Sequence, residues 1–381
     1  MAFIELGKID KNLIPIIIGC VFCFLNRLIN HYAETSLFYN LVLTNIFISI
    51  SNIFTIIPYI ILKISSKKIR QRDNQTINNN INNNIEYIYM KDDRSINKGK
   101  VGYLILTSLL FFFESTLLVS EFKLKTNTWI IYIVVVSIFC YIISKIKLYK
   151  HHYLTIIIIL LLGIIIDLAE GNLQKDLINN YWFILMSLLR QSLLSLNYVI
   201  IKYIMEKKFV SVYEVSFSYG VISLIINLIF AVVDHNFFGI YKYKEYFNKF
   251  NIRELFVVLG IMIIQLGMEL TSLITVKNNS PCHIFIIYVF GQLAYYLDFS
   301  TVSIVLIICF IFILFVTLVF NEIIEINLWG FSYNTKRNIV KRAEEEQARL
   351  NRLNSMSTYD ENGDIRVSLI ELERSESFRD S

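Results

Sequence analysis

The stretch MSLLRQSLLSLNYVIIKYIMEKK (186–208) sets Arg190 and Gln191 inside a run otherwise apolar enough to cross a bilayer. A charge near the bilayer centre costs about 2.5–3.5 kcal/mol on insertion scales, so it must face protein or a hydrated cavity. Arg190 lies roughly 13 Å from the outer start of its expected helix, at ~1.5 Å per residue. Glu114 lies roughly 12 Å from the outer end of another expected helix by the same rise. Equal depth makes Glu114 the expected charge partner of Arg190, since an ion pair is the economical way to keep both charges.

Arg190 also has company on its own helix. At about 100° per residue, Ser187, Arg190, Gln191, Ser195, Asn197, Tyr198 and Lys202 fall within an arc of about 160°, opposite a mainly apolar face. Other segments repeat the design. Gln265, Glu269 and Ser272 form a stripe at i, i+4, i+7. Thr107, Glu114 and Glu121 recur at heptad spacing, and Asn45, Ser49 and Asn52 share one face at i, i+4, i+7. Such faces suit the walls of a central hydrated cavity. Ser, Asn and Gln stripes also hydrogen-bond packed membrane helices to each other, and that reading stands beside the first. Arg27, Glu121, Asp167 and Asp234 fall near helix ends, at the membrane interface.

The elements that carry these residues follow from hydropathy. The chain has 381 residues, 55% hydrophobic and only 18% charged, against roughly 25% charged in soluble domains. Its charges are bunched between apolar runs of about the ~20 residues that cross a bilayer. Ten spans are expected, near 12–28, 37–62, 101–122, 129–146, 153–168, 181–205, 212–233, 255–277, 281–299 and 302–324. The first is a retained helix, because Lys8 and Lys11 precede an apolar run that no small-x-small cleavage site follows. The expected fold class is therefore all-α, a polytopic membrane protein with ten transmembrane helices, whose partner is the lipid bilayer.

Lysine and arginine counts in the connections place both termini in the cytosol. That orientation keeps the sequon Asn74-Gln75-Thr76 cytosolic and unmodified. Four regions result. Residues 1–62 hold the first two helices and 63–100 an Asn-rich disordered cytosolic loop. Residues 101–324 hold helices three to ten, and 325–381 form a cytosolic tail. The basic stretch KRNIVKRAEEEQARLNRL suits a short helix against the anionic inner leaflet, ahead of a disordered end.

Several chemistries are excluded by pattern. Five cysteines, all in or beside apolar segments, imply no disulfide framework and no zinc site. The histidines do not cluster at metal spacing, apart from the His151-His152 pair. HExxH, GxSxG and Walker A motifs are lacking, so neither an enzyme nor an ATP-driven pump is expected, and no cofactor, metal or nucleic acid. Homodimer formation is left open.

Loop lengths have a rhythm. Helices one to five are joined by short, long, short and short connections, and helices six to ten likewise. An odd number of helices per half makes the second half enter the membrane inverted, as in many transporters. ESTLLVS (114–120) and ELTSLIT (269–275) share E-x-T-x-L-[VI]-[ST] in helices three and eight. The expectation is a 5+5 inverted-topology repeat.

This organisation resembles the drug/metabolite transporter superfamily, in particular nucleotide-sugar-transporter-like solute carriers. Three stretches look like that family: KYIMEKKFVSVYEVSFSYGVISLI (202–225), VKNNSPCHIFIIYVFGQL (276–293) and FNEIIEINLWGFSYNTKRNI (320–339). The lysine patterns of defined nucleotide-sugar carriers are not evident. The resemblance implies alternating access around a central site. Arg190, Gln191, Asn197 and Tyr198 would contact a small polar or anionic solute, and Glu114 would balance Arg190 when the site is empty. Gln265 and Glu269 would join the site, with Glu269 coupling protons or meeting a cationic group. The alternative is a non-transport membrane protein, receptor-like, scaffold or trafficking, whose tail recruits partners.

Overall fold

The computed structural model describes residues 4–6, 13–32, 41–61, 64, 98–123, 128–145, 148–169, 181–208, 210–233, 252–296, 304–326 and 335–357. They form two compact units, residues 8–321 and residues 1–7 with 322–381. Most of the Asn-rich stretch and the end of the tail lie outside the described residues.

The larger unit is helical. Its helices are α1 (Ile14–Tyr32), α2 (Leu41–Ile53), α3 (Lys98–Lys123), α4 (Ile131–Ser144) and α5 (Lys150–Ala169). Then come α6 (Tyr181–Lys207), α7 (Val212–Val233), α8 (Ile252–Asn278), α9 (Ile284–Tyr296) and α10 (Ile304–Phe320). Five of them, α3 and α5 to α8, are long and apolar enough to cross a membrane, and five shorter apolar helices accompany them. This is a helical membrane protein. Large apolar side chains face outward along the spans, among them Ile157, Leu161 and Leu168 on α5 and Ile311 and Phe312 on α10. That outward face is what lipid tails require, because no water is present to penalise it.

Two helices begin or break for reasons written in single residues. Helix α2 breaks at 54–55 and resumes to Ile61. Pro58 lies one turn on, so the Phe54 carbonyl has no i+4 donor. It accepts instead from the Ile57 N–H at 3.1 Å, and Thr55 N–H likewise reaches back only to Asn52 at 3.2 Å. The short turn Pro281–His283 leads into α9, with Ser280 extended ahead of it. Proline fits that first turn because its missing N–H has no partner there anyway.

Helix α7 starts on a reciprocal cap. The Glu214 N–H donates to Ser211 Oγ at 3.1 Å, and the Ser211 N–H donates to Glu214 Oε2 at 2.8 Å. The other carboxylate oxygen receives Lys100 Nζ at 3.1 Å and the Tyr59 hydroxyl at 3.4 Å. One side chain thus caps α7 and ties it to the end of α2 and the start of α3.

Packing follows a clear neighbour list. Helix α2 lies on α7, α1 on α8 and α9, and α3 on α6 and α7. Helix α4 lies on α6, α5 pairs with α10, and α8 also meets α2, α6 and α7. Helix α2 crosses α7 with backbone close to backbone. A Cβ on Gly220 would sit 2.7 Å from the Ile53 nitrogen and from the Ser49 carbonyl oxygen, both backbone. Small residues let membrane helices approach this closely.

In the smaller unit, β1 (Ile4–Leu6) pairs antiparallel with β2 (Ile324–Ile326), Ile4 opposite Ile326. Helix α11 (Lys336–Ser357) follows. Its surface is highly charged, with an exposed i,i+4 contact between Lys341 and Glu345 at 3.9 Å. The three-residue ladder is an addition to the expected all-α class; strands so short leave no hydropathy period to read.

Candidate functional site

The site is built at the meeting of α3, α6 and α8. Helix α6 turns Ser187, Gln191, Ser195, Asn197 and Tyr198 inward, all buried, while Trp182, Leu185 and Leu189 stay exposed. Arg190 lies at the edge of the inward face, and its guanidinium forms an ion pair with the Glu114 carboxylate of α3. Both side chains are nearly buried, at 11% and 8% exposure, so the pair is shielded from water. Buried pairs of this kind hold only because each charge answers the other.

Glu269, on α8, is 5% exposed and lies within electrostatic reach of Glu114. Its Oε1 has no hydrogen-bond partner among the described residues. Gln265, one turn earlier, is half-buried, and Ser272 one turn later is buried.

A tyrosine cluster surrounds these charges. Tyr198 lies within electrostatic reach of Glu269, Glu114, Tyr132 and Tyr288, and the Tyr198 and Tyr288 hydroxyls interact. Tyr219 of α7 donates its hydroxyl to Asn197 Oδ1 at 3.1 Å and stacks on Phe111 at 4.4 Å. Tyr132 of α4 donates to the Pro281 carbonyl at 2.9 Å. Its ring meets Tyr288 edge to face at 5.4 Å. Nearby, Trp129 approaches Phe285 at 5.6 Å.

Tyr198 is among the residues singled out by sequence; Tyr132, Tyr219 and Tyr288 are not, although a signal existed for Tyr132 and Tyr288. WIIYI (129–133) and FIIYV (285–289) both read aromatic-Ile-Ile-Tyr-[IV]. They fall 15 and 16 residues after Glu114 and Glu269 respectively, near the starts of α4 and α9. The equivalent aromatic residues touch one another.

Other sequence-selected residues have packing roles. Ser49 and Asn52, expected on a cavity wall, lie at the α7 crossing, where Ser216 Oγ approaches Asn52 Oδ1 at 3.4 Å. Period alone does not say whether a polar stripe meets water or a helix. Lys202 pairs with Glu206 at 3.1 Å and donates to the Lys277 carbonyl at 2.8 Å, satisfying the end of α8. Thr128 and Ser187 hydroxyls bond at 2.6 Å between the start of α4 and α6. Asp167, expected at the interface, is buried at the end of α5. The side chains of Arg27, Glu121 and Asp234 lie outside the described residues. All five cysteines are free thiols.

No protein-family model matches this chain, and no curated protein matches it by sequence.

Proposed function

We propose that this protein is a secondary transporter or exchanger of a small polar metabolite, working by alternating access. The observation that carries the reading is the buried polar centre of Arg190, Glu114 and Glu269 inside an apolar helical unit. Ions at this depth are costly, and their usual return is a binding or coupling role.

We read the ten apolar helices as ten spans in two inverted halves of five, and the packing supports this. Shifting every helix by five maps α1 on α9 to α6 on α4, and α3 on α6 to α8 on α1. It likewise maps α3 on α7 to α8 on α2, while α2 on α7 and α5 on α10 map to themselves. Helix neighbours related in this way are the geometry of inverted-repeat carriers, whose sites lie at the interface between halves. The two sequence echoes fall in register with the same shift. Resemblance to the drug/metabolite transporter superfamily belongs to this proposal, as does a cytosolic placement of both termini.

Reconstitution into liposomes with a metabolite panel tests the reading. Saturable uptake or counterflow supports it; protein-independent flux across the whole panel overturns it. The competing reading, a non-transport membrane protein, draws on the deep burial of Gln191, Asn197 and Glu269. On that reading the centre only fastens helices together, and it is left standing if no solute moves.

A further inference from the structure

We propose, resting on the transporter reading above, that the solute carries an organic ammonium group, received by Glu269 beside the Tyr198–Tyr288 pair. Charge balance motivates it. Among the described residues the centre sets two carboxylates, Glu114 and Glu269, against one guanidinium, and Arg190 already pairs with Glu114. Two lysines of these helices are engaged elsewhere: Lys202 serves Glu206 and the α8 terminus, and Lys100 serves Glu214. Glu269 is nine-tenths buried, with a carboxylate oxygen that no described donor reaches. A buried carboxyl either takes up a proton or meets a positive partner. The cationic end of the solute takes the place of that proton.

The surroundings select among cations. A hard metal ion asks for about six oxygen ligands. Besides Glu114, Glu269 lies within electrostatic reach of Tyr198 and Tyr219, both buried, with the Tyr219 hydroxyl engaged by Asn197. A carboxylate with tyrosines close by is a composition that holds alkylammonium groups, through charge and cation–π attraction. A solute that also carries an acidic or polar end would reach Arg190, where that end replaces the Glu114 contact. The class is a small amine, with a zwitterion such as an amino acid fitting both poles.

The test uses full-length protein in lipid nanodiscs, with methylammonium, acetate and a set of amino acids as probes of thermal stability. The amines are expected to raise the unfolding temperature saturably, acetate alone not, and Glu269→Gln to weaken the amine effect by about tenfold or more. Because Glu269→Gln can disturb folding, a second measurement is made on the unchanged protein. A hydrophobic carbodiimide should label Glu269, as read by peptide mass spectrometry, and bound amine should protect it. Amine responses equal in Glu269→Gln, or labelling unaffected by amines, overturn the inference. Uptake of purely anionic solutes without any amine response also overturns it while leaving transport intact. Amine binding without liposome uptake supports the cation subsite and overturns the transporter reading instead.

Discussion

Tyr132 and Tyr288 meet edge to face at 5.4 Å, from near the starts of α4 and α9. They occupy matching places in WIIYI and FIIYV, so the contact joins like positions of two similar segments. Tyr132 also fixes the entry to α9 through the Pro281 carbonyl at 2.9 Å. Tyr132→Phe keeps the ring contact and removes that bond. Unfolding in lipid nanodiscs should show a loss of about 1 kcal/mol, and Tyr288→Phe should spare the Pro281 link.

The α2–α7 crossing depends on a missing side chain. A methyl at position 220 would meet two backbone atoms of α2 at 2.7 Å, and backbone does not swing away. Gly220→Ala is therefore expected to destabilise by about 1–3 kcal/mol. Gly260→Ala, with open space around the new methyl, is the control and should be neutral or slightly stabilising in the same melting experiment.

Glu214 holds three helices at one point. Glu214→Ala removes the reciprocal cap with Ser211 and the contacts to Lys100 and Tyr59. Loss of such a cap costs about 0.5–2 kcal/mol. Glu214→Gln keeps part of the cap and should recover part of the stability, which thermal melts of the two variants will separate.

The Arg190–Glu114 pair should behave as a unit. Arg190→Met or Glu114→Gln alone leaves an unanswered charge and should cost about 3–5 kcal/mol, whereas the double variant should recover much of that loss. A double-mutant cycle in nanodiscs reads the coupling. Additive losses would show that the two side chains do not depend on each other.

Much of this architecture is legible in the residues. Long apolar runs mark the helices because lipid demands apolar faces. Helices α3, α6 and α8 begin and end within a few residues of where hydropathy places them. Equal depth points Arg190 toward Glu114. The break in α2 is also written plainly, in Pro58, although hydropathy averages over it. Partner identity is harder. The Asn45, Ser49, Asn52 stripe has the same period whether it meets a cavity or α7, and only the packed neighbour decides. Tyr132, Tyr219 and Tyr288 are hidden among 23 tyrosines, where composition masks position. Glu214 and Gly220 fall within the 202–225 stretch quoted for its family likeness; their work is physical, one capping α7 and one admitting α2.

Transport through the Arg190 centre is the central claim. Its most direct measurement is uptake into liposomes by the unchanged protein and by Arg190→Ala, at matched reconstitution and with the fold checked by melting. Uptake should be saturable and fall about tenfold or more in Arg190→Ala, a loss of roughly 1.4 kcal/mol or more in transition-state terms. Uptake unchanged in a folded Arg190→Ala would contradict it.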